Sequence, residues 1–499
     1  MKKLFILYLL TITHSLLAQS TTKLKITESA EYKDEIKTID ILAIHTSESG
    51  ETAIIRNGKN DFLFDIFDKN LKKTFSKVVE ADNDEKFVGE LFYRDQLKFF
   101  TVYAPEKDKR IVYCHTLNLT TKSCSKTTIF ETAAEKNQSI FGSERKHKTN
   151  FALSPNGDYF AIATDNILKN KNSYTIRVFE SKSEKLIYTK SYQEDEQKRF
   201  EFNDLYIDNT TTVFSLGKLY KNGSSKKNED GDANYQFVLN KITKDKTSFL
   251  LIDLENEHIS SLSISNNNDE LQLIGFYSEL NISRIKGGCN FVIDTNNLSI
   301  KRKKTQSLPK QVYEDLYGYR TAERKNDKKK ELRNFDIDYI LRDEENNTYL
   351  IAEEFYITQV YVSTGMYGGG YWQTIPHYDD ILILKFNPDG DVVWGRSVYK
   401  RATTPSYNAF VKNTDLHLIL NSGKNLTEKT DGRTKLSKAW LESTSLYDLE
   451  YTNKGEVAYN KIQDNSGNEY YLPFFGTYQS NKFIMMNDGR KKKVFMTLE

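Results

Sequence analysis

The chain has 7 histidines, 3 cysteines and 69 acidic residues, and their spacing limits the chemistry open to them. No His-x-x-x-His pair sets two imidazoles on one helix face, and no Cys-x-x-Cys offers a zinc clasp. No Gly-x-Ser-x-Gly elbow presents a nucleophile. The glycines of segment 365–370 lack the Lys-Ser/Thr that grips phosphate and magnesium. Two acidic doublets, Glu353-Glu354 and Asp379-Asp380, could supply acid–base carboxylates. Neighbours in a strand point to opposite faces, so within each doublet only one member could face a common cleft. Structural or solvated roles are the preferred reading, and no residue is assigned as catalytic. Calcium has one candidate, Asn228-Glu229-Asp230-Gly231-Asp232-Ala233-Asn234, with oxygen side chains at alternate positions. Its glycine comes fourth rather than sixth and no Glu stands twelfth, so a solvated loop is preferred and no other cofactor is expected.

Recognition is better represented than catalysis. Tyr361, Tyr367, Tyr371, Trp372 and Tyr378 cluster in and around a glycine-rich loop, 365–378. Exposed Tyr and Trp bury large area at little entropic cost, which suits contacts to sugars or proteins. These five are the candidate ligand-binding residues. Basic runs at 145–148, 301–304, 328–330 and 490–493 read as solvated faces and guarded strand edges.

The elements that carry these residues are strands. Segment 378–394 is the clearest hairpin: an apolar run at 381–386, the turn Asn387-Pro388-Asp389-Gly390, and a return ending on Trp394. Pro presets the turn's first φ, and Gly accepts the φ > 0 position. Segment 151–163 repeats the plan around Ser154-Pro155-Asn156-Gly157. Weaker copies recur every 45–60 residues, about the length of a four-stranded propeller blade. The pattern predicts an all-β chain: a β-propeller of seven or eight four-stranded antiparallel blades, as one domain over 19–499. A lone strand near Lys23 is expected to complete the last, otherwise incomplete, blade. A break at about 307–334, with Val312, Leu316 and Tyr319 near helical spacing, predicts an exposed helical insertion.

Lys2-Lys3, the apolar run 4–10 and Ala18 predict a cleaved export signal over 1–18. No later apolar run is long enough to span a bilayer. With 71 basic against 69 acidic residues, the net charge of +2 argues against a nucleic-acid partner. Cys114 and Cys124 flank a hairpin turn and could pair in an oxidising compartment. Buried thiols are preferred, because three cysteines cannot build a disulfide scaffold.

One stretch carries a family likeness. Ile351-Ala352-Glu353-Glu354-Phe355-Tyr356, the Asp-Ile-apolar-apolar-Lys strand from Asp380, the Asn-Pro-Asp-Gly turn and Trp394 fall within 339–400. This segment resembles uncharacterised exported propeller-like proteins of Bacteroidota. The resemblance implies fold and export, and brings no activity. The expected function is a non-catalytic binding or scaffold module, monomeric, in the periplasm or cell envelope, meeting a protein or glycan there. The alternative is a polysaccharide- or peptide-acting hydrolase or lyase with carboxylates in the propeller channel.

Overall fold

The computed structural model describes residues 23–499 except 39, 48, 59, 84, 107–108, 134–148, 169–170, 194–198, 222–232, 268–269, 281–283, 328–329, 364–369, 437–441 and 490. Eight four-stranded antiparallel sheets are found among the described residues. They are blade 1 (40–80), blade 2 (86–133), blade 3 (149–193), blade 4 (199–252), blade 5 (258–307), blade 6 (335–398), blade 7 (407–464) and blade 8. Blade 8 takes three strands from 477–498 and its fourth, Ile26–Glu28, from the other end of the chain. Ile26 pairs with Leu498 and Glu28 with Met496, so the strand near Lys23 closes the ring as its sequence predicts.

The strands are buried on both faces because each blade packs between two others. In blade 2, Leu97, Phe99 and Leu117 meet Ile55, Phe62 and Phe64 of blade 1. Phe100, Val112 and Cys114, on the opposite face, meet Phe160, Ile162 and Phe179 of blade 3. Such clusters fill all eight gaps between neighbours, including Ile41, Ile54 and Phe67 of blade 1 against Ile484, Met486 and Phe495 of blade 8. That closed circuit of cores makes the chain an eight-bladed β-propeller. Each large apolar side chain buried in it contributes roughly 1.5–3 kcal/mol. Cys114 and Cys124 lie on opposite faces of blade 2 and are free thiols.

Lysines latch blade to blade. Lys98 reaches Glu184 at 2.8 Å in the last turn of blade 3, Lys241 reaches the Thr295 carbonyl in that of blade 5, and Lys385 reaches Asn453 in that of blade 7. The innermost strands of blades 1, 2, 4, 5 and 6 each carry a register shift, as between Ile337 and Tyr339. A bulge there bends and twists the strand nearest the axis.

In this meander the tight turns share one end of the ring. The second-to-third-strand loops and the blade-to-blade connections share the other. Among the described residues, the long departures from the repeat fall on that second end. They include two helices, α1 (Lys310–Tyr317) and α2 (Tyr319–Asp327), between blades 5 and 6. Blade 6 adds an arm, because its two central strands, Thr348–Ser363 and Gly370–Phe386, run far past their neighbours. No helix among the described residues is long and apolar enough to cross a membrane. The expected export signal and residues 228–232 of the calcium candidate lie outside the described residues.

Candidate functional site

The helical insertion is a wall of the fold as well as a surface feature. Val312, Tyr313 and Leu316 of α1 and Ala322 of α2 are buried against Ile274, Leu350, Leu382 and Leu384. The expectation of an exposed insertion therefore holds for Tyr319 and fails for Val312 and Leu316. Gly318 separates the helices at φ +75°, a conformation that favours glycine, and a Cβ there would strike Asp431. Asp315 anchors α1 to blade 6 through Arg396 at 2.7 Å.

Beneath α1, the root of the arm gathers three carboxylates. The ladder pairs Glu353 with Ile381 and then Phe355 with Tyr378, so the register slips at Glu354, Asp379 and Asp380. The slip breaks the alternation that would separate neighbours. Asp379 and Asp380 consequently reach the same guanidinium, Arg401, at 2.6 and 3.5 Å, and Glu354 approaches it at 3.8 Å. Of these two, Asp380 alone lines the cavity between blades 5 and 6, so one member of the doublet faces the cleft as expected. Glu353-Glu354 divides likewise: Glu353 pairs with Lys400 at 2.8 Å, away from Arg401. Tyr356 donates to Asp379 Oδ2 at 2.7 Å.

One partly exposed arginine faces three carboxylates, and the protonation equilibria reflect that imbalance. Burial raises the Asp380 carboxyl to about 7; Arg401 pulls it down, while Glu354 and Asp379 push it up. Burial also raises Glu354, against the pull of Arg401. For Arg401 itself, burial is outweighed by the charges of Asp380 and Asp379, and its guanidinium is held above its ordinary value. Asp380 is 4% exposed, and its Oδ1 is buried without a hydrogen-bond partner among the described residues. Such an oxygen is costly to leave unmatched.

Asp380 and Glu354 line a cavity of about 330 Å³ between blades 5 and 6. Tyr313, Leu316 and Tyr317 of α1 form one side. Arg284, Lys325, Lys330 and Arg333 edge it. Arg284-Ile285, from the long loop of blade 5, pairs with Leu332-Arg333 just after α2, which brings these distant cations together. The Lys325 ammonium sits 3.3 Å above the Tyr317 ring. A second cavity, about 290 Å³, lies at the connection of blades 4 and 5 and adjoins the undescribed residues 222–232.

The residues singled out from sequence are only partly brought together. Tyr378 is half-buried at the arm's root, packed on Phe355 at 5.0 Å and bonded through its backbone to Ala402. Tyr361 pairs in register with Trp372, and Val362 with Tyr371, so the segment from Gly370 onward is strand where a loop was expected. Tyr367 lies outside the described residues. Lys301, Arg302, Lys303 and Lys304 run along the outermost strand of blade 5, each near a carboxylate, as a guarded strand edge. Carboxylates on innermost strands, Asp40, Glu90 and Asp204, are raised by burial to about 6, 8 and 6. None owes its shift to another acid. At the arm's root, by contrast, Glu354 and Asp379 help to raise Asp380. Sequence reasoning flagged both doublets and missed Arg401, Arg284 and Arg333, which sit in segments without periodicity.

No family model and no curated protein matches the chain. Among solved structures, it is similar to a prolyl endopeptidase at 9% identity and a TM-score of 0.42, covering 91% of this chain and 55% of that one. It is similar to the polysaccharide lyase Uly1 at 10% identity and a TM-score of 0.41, covering 95% and 99%. A third likeness is to the β-propeller domain of the Trilobed protease from Pyrococcus furiosus, at 9% identity and a TM-score of 0.38, covering 85% and 98%. The chain thus spans about half the length of the prolyl endopeptidase. At this level no residue passes from those proteins to this one, and neither does an activity.

Proposed function

We propose that this chain is an exported binding propeller of the cell envelope, whose ligand enters the cavity between blades 5 and 6. The observation that carries this is Asp380: 4% exposed, lining the cavity, with one oxygen unmatched among the described residues. A group held that way is stabilised when a ligand donates to it. The arm that begins at Asp379 and Asp380 offers the ligand a second surface, and its aromatic residues keep their proposed role there. The test is an oligosaccharide panel with the chain from Gln19. Asp380→Ala should weaken the ligand found by tenfold or more, because a site built to receive a donor loses its acceptor. Unchanged affinity would remove the cavity from the account. Tyr371→Ala with Trp372→Ala tests the arm in the same assay.

A second reading, an acid–base enzyme acting on a polysaccharide or peptide, is favoured by one observation. Asp380 near 7 beside a raised Glu354 is a pair suited to proton transfer at neutral pH. It differs from binding in one outcome: the bound oligomer would be cleaved, and cleavage would stop in Glu354→Gln.

A further inference from the structure

The cations at the cavity mouth are held at mutual cost. Arg284 stands directly opposite Arg333 in a two-residue ladder, and like charges in that position destabilise a strand pair. Lys330 donates its backbone N–H to Lys325 O at 3.0 Å, which keeps those two side chains close. Burial and the charges of Lys330 and Arg324 hold the Lys325 ammonium below its ordinary value. Among the described residues, none of the four has a carboxylate within 4.0 Å. Glu331 does not serve them: its carboxylate accepts from Ser278 Oγ at 2.8 Å and from the Glu279 N–H at 2.7 Å. The basic run on blade 5 is the internal contrast. There Lys301, Arg302, Lys303 and Lys304 meet Glu270, Asp389, Glu255 and Asp391 one for one.

We infer that this mouth receives the negatively charged substituent of an acidic glycan, whose hydroxyls meet the carboxylates below. The inference rests on the cavity reading and names its ligand class. Arginine pairs with carboxylate and sulfate groups in bidentate fashion, and two arginines opposite each other provide two such forks. Sugar hydroxyls supply the donors that Asp380 Oδ1 lacks. A neutral glycan would bring these four cations no counter-charge. An acidic peptide would answer them with fewer donors for Asp380, since its backbone offers one N–H per residue.

The test is calorimetry on the full chain from Gln19 with four probes: a uronate oligosaccharide, its carboxyl-reduced neutral form, poly-glutamate and inorganic sulfate. The acidic oligosaccharide should bind at least tenfold tighter than the neutral form. The doubly substituted Arg284→Gln, Arg333→Gln chain should lose that margin along with most of its salt dependence. Millimolar sulfate should raise the melting temperature of the wild type more than that of the double variant, a readout independent of glycan choice. Equal binding of acidic and neutral forms, both abolished by Asp380→Ala, would overturn the anionic class and leave the cavity reading standing. Tighter binding of poly-glutamate would assign the mouth to a protein partner. Absence of glycan binding, with equal sulfate response in both chains, would end the inference.

Discussion

Two arginines of this propeller each gather carboxylates. Arg56 lies in the seam between blades 8 and 1, with Asp34 and Asp65, all three 0% exposed. Its Nε donates to Asp65 and its Nη2 to Asp34, both at 3.0 Å, and Thr38 accepts from it as well. Lys73 adds a second cation within 3.9 Å of both acids, and the buried Lys493 feels the charges of Asp34 and Arg56. Arg401 is 46% exposed and lies within 4.0 Å of three acids. The seam is closed and joins the two ends of the chain. The root of the arm sets three acids around a half-exposed arginine, and Asp380 and Glu354 there open to a cavity. The same residue types are used once as a clasp and once, on this account, as a site. What separates the two uses is burial and access to a cavity.

The comparison can be broken or sharpened by substitution. The largest effect is expected at the seam. Arg56→Ala strands Asp34 and Asp65 in the interior and should cost about 3–5 kcal/mol in urea unfolding. A cost below about 1 kcal/mol would mean that the clasp is incidental. Lys385→Met, at the latch between blades 6 and 7, should cost less, about 1–3 kcal/mol. Asp343 would lose its cation at 3.2 Å but keep bonds from Asn347 Nδ2 and from the backbone of Asn347 and Glu345. The smallest effect is expected at the rim. Arg401→Gln should cost less than Arg56→Ala, about 1–2 kcal/mol, because the guanidinium is half-exposed although Asp379 and Asp380 are buried, while shifting ligand affinity. A loss at Arg401 equal to that at Arg56 would erase the distinction.

The fold was legible because it rests on local chemistry. Pro388-Asp389-Gly390 and Pro155-Asn156-Gly157 mark turns by themselves, and Gly157 and Gly390 do adopt positive φ. Alternating and continuous apolar runs between such turns marked most of the strands, and the isolated strand beside Lys23 suggested how the ring would close. The site was half legible. Glu353-Glu354 and Asp379-Asp380 stood out as doublets on either side of one hairpin. Their meeting depends on a register slip at the base of a long arm, and the loop's length left that register open. Arg401 follows the last strand of blade 6, and Arg284 and Arg333 lie in a two-residue ladder, too short for any periodicity to show. Burial of α1 was hidden for a different reason. Val312 and Leu316 have helical spacing, but their partner is the face of a neighbouring blade, which only the ring supplies.

The central claim is that the root of the arm holds an acid at a cost to the fold. The most direct measurement is urea unfolding of wild type and Asp380→Asn from pH 4 to pH 8. A carboxyl raised to about 7 in the folded chain binds its proton more tightly there than when unfolded, so its stabilising share is complete at low pH and is lost as pH rises towards 7. The account predicts equal stability of the two chains near pH 4 and a gap opening above it, with the variant more stable by about 1–3 kcal/mol at pH 8. A gap that stays flat across this range, or a variant less stable at pH 8, would contradict it.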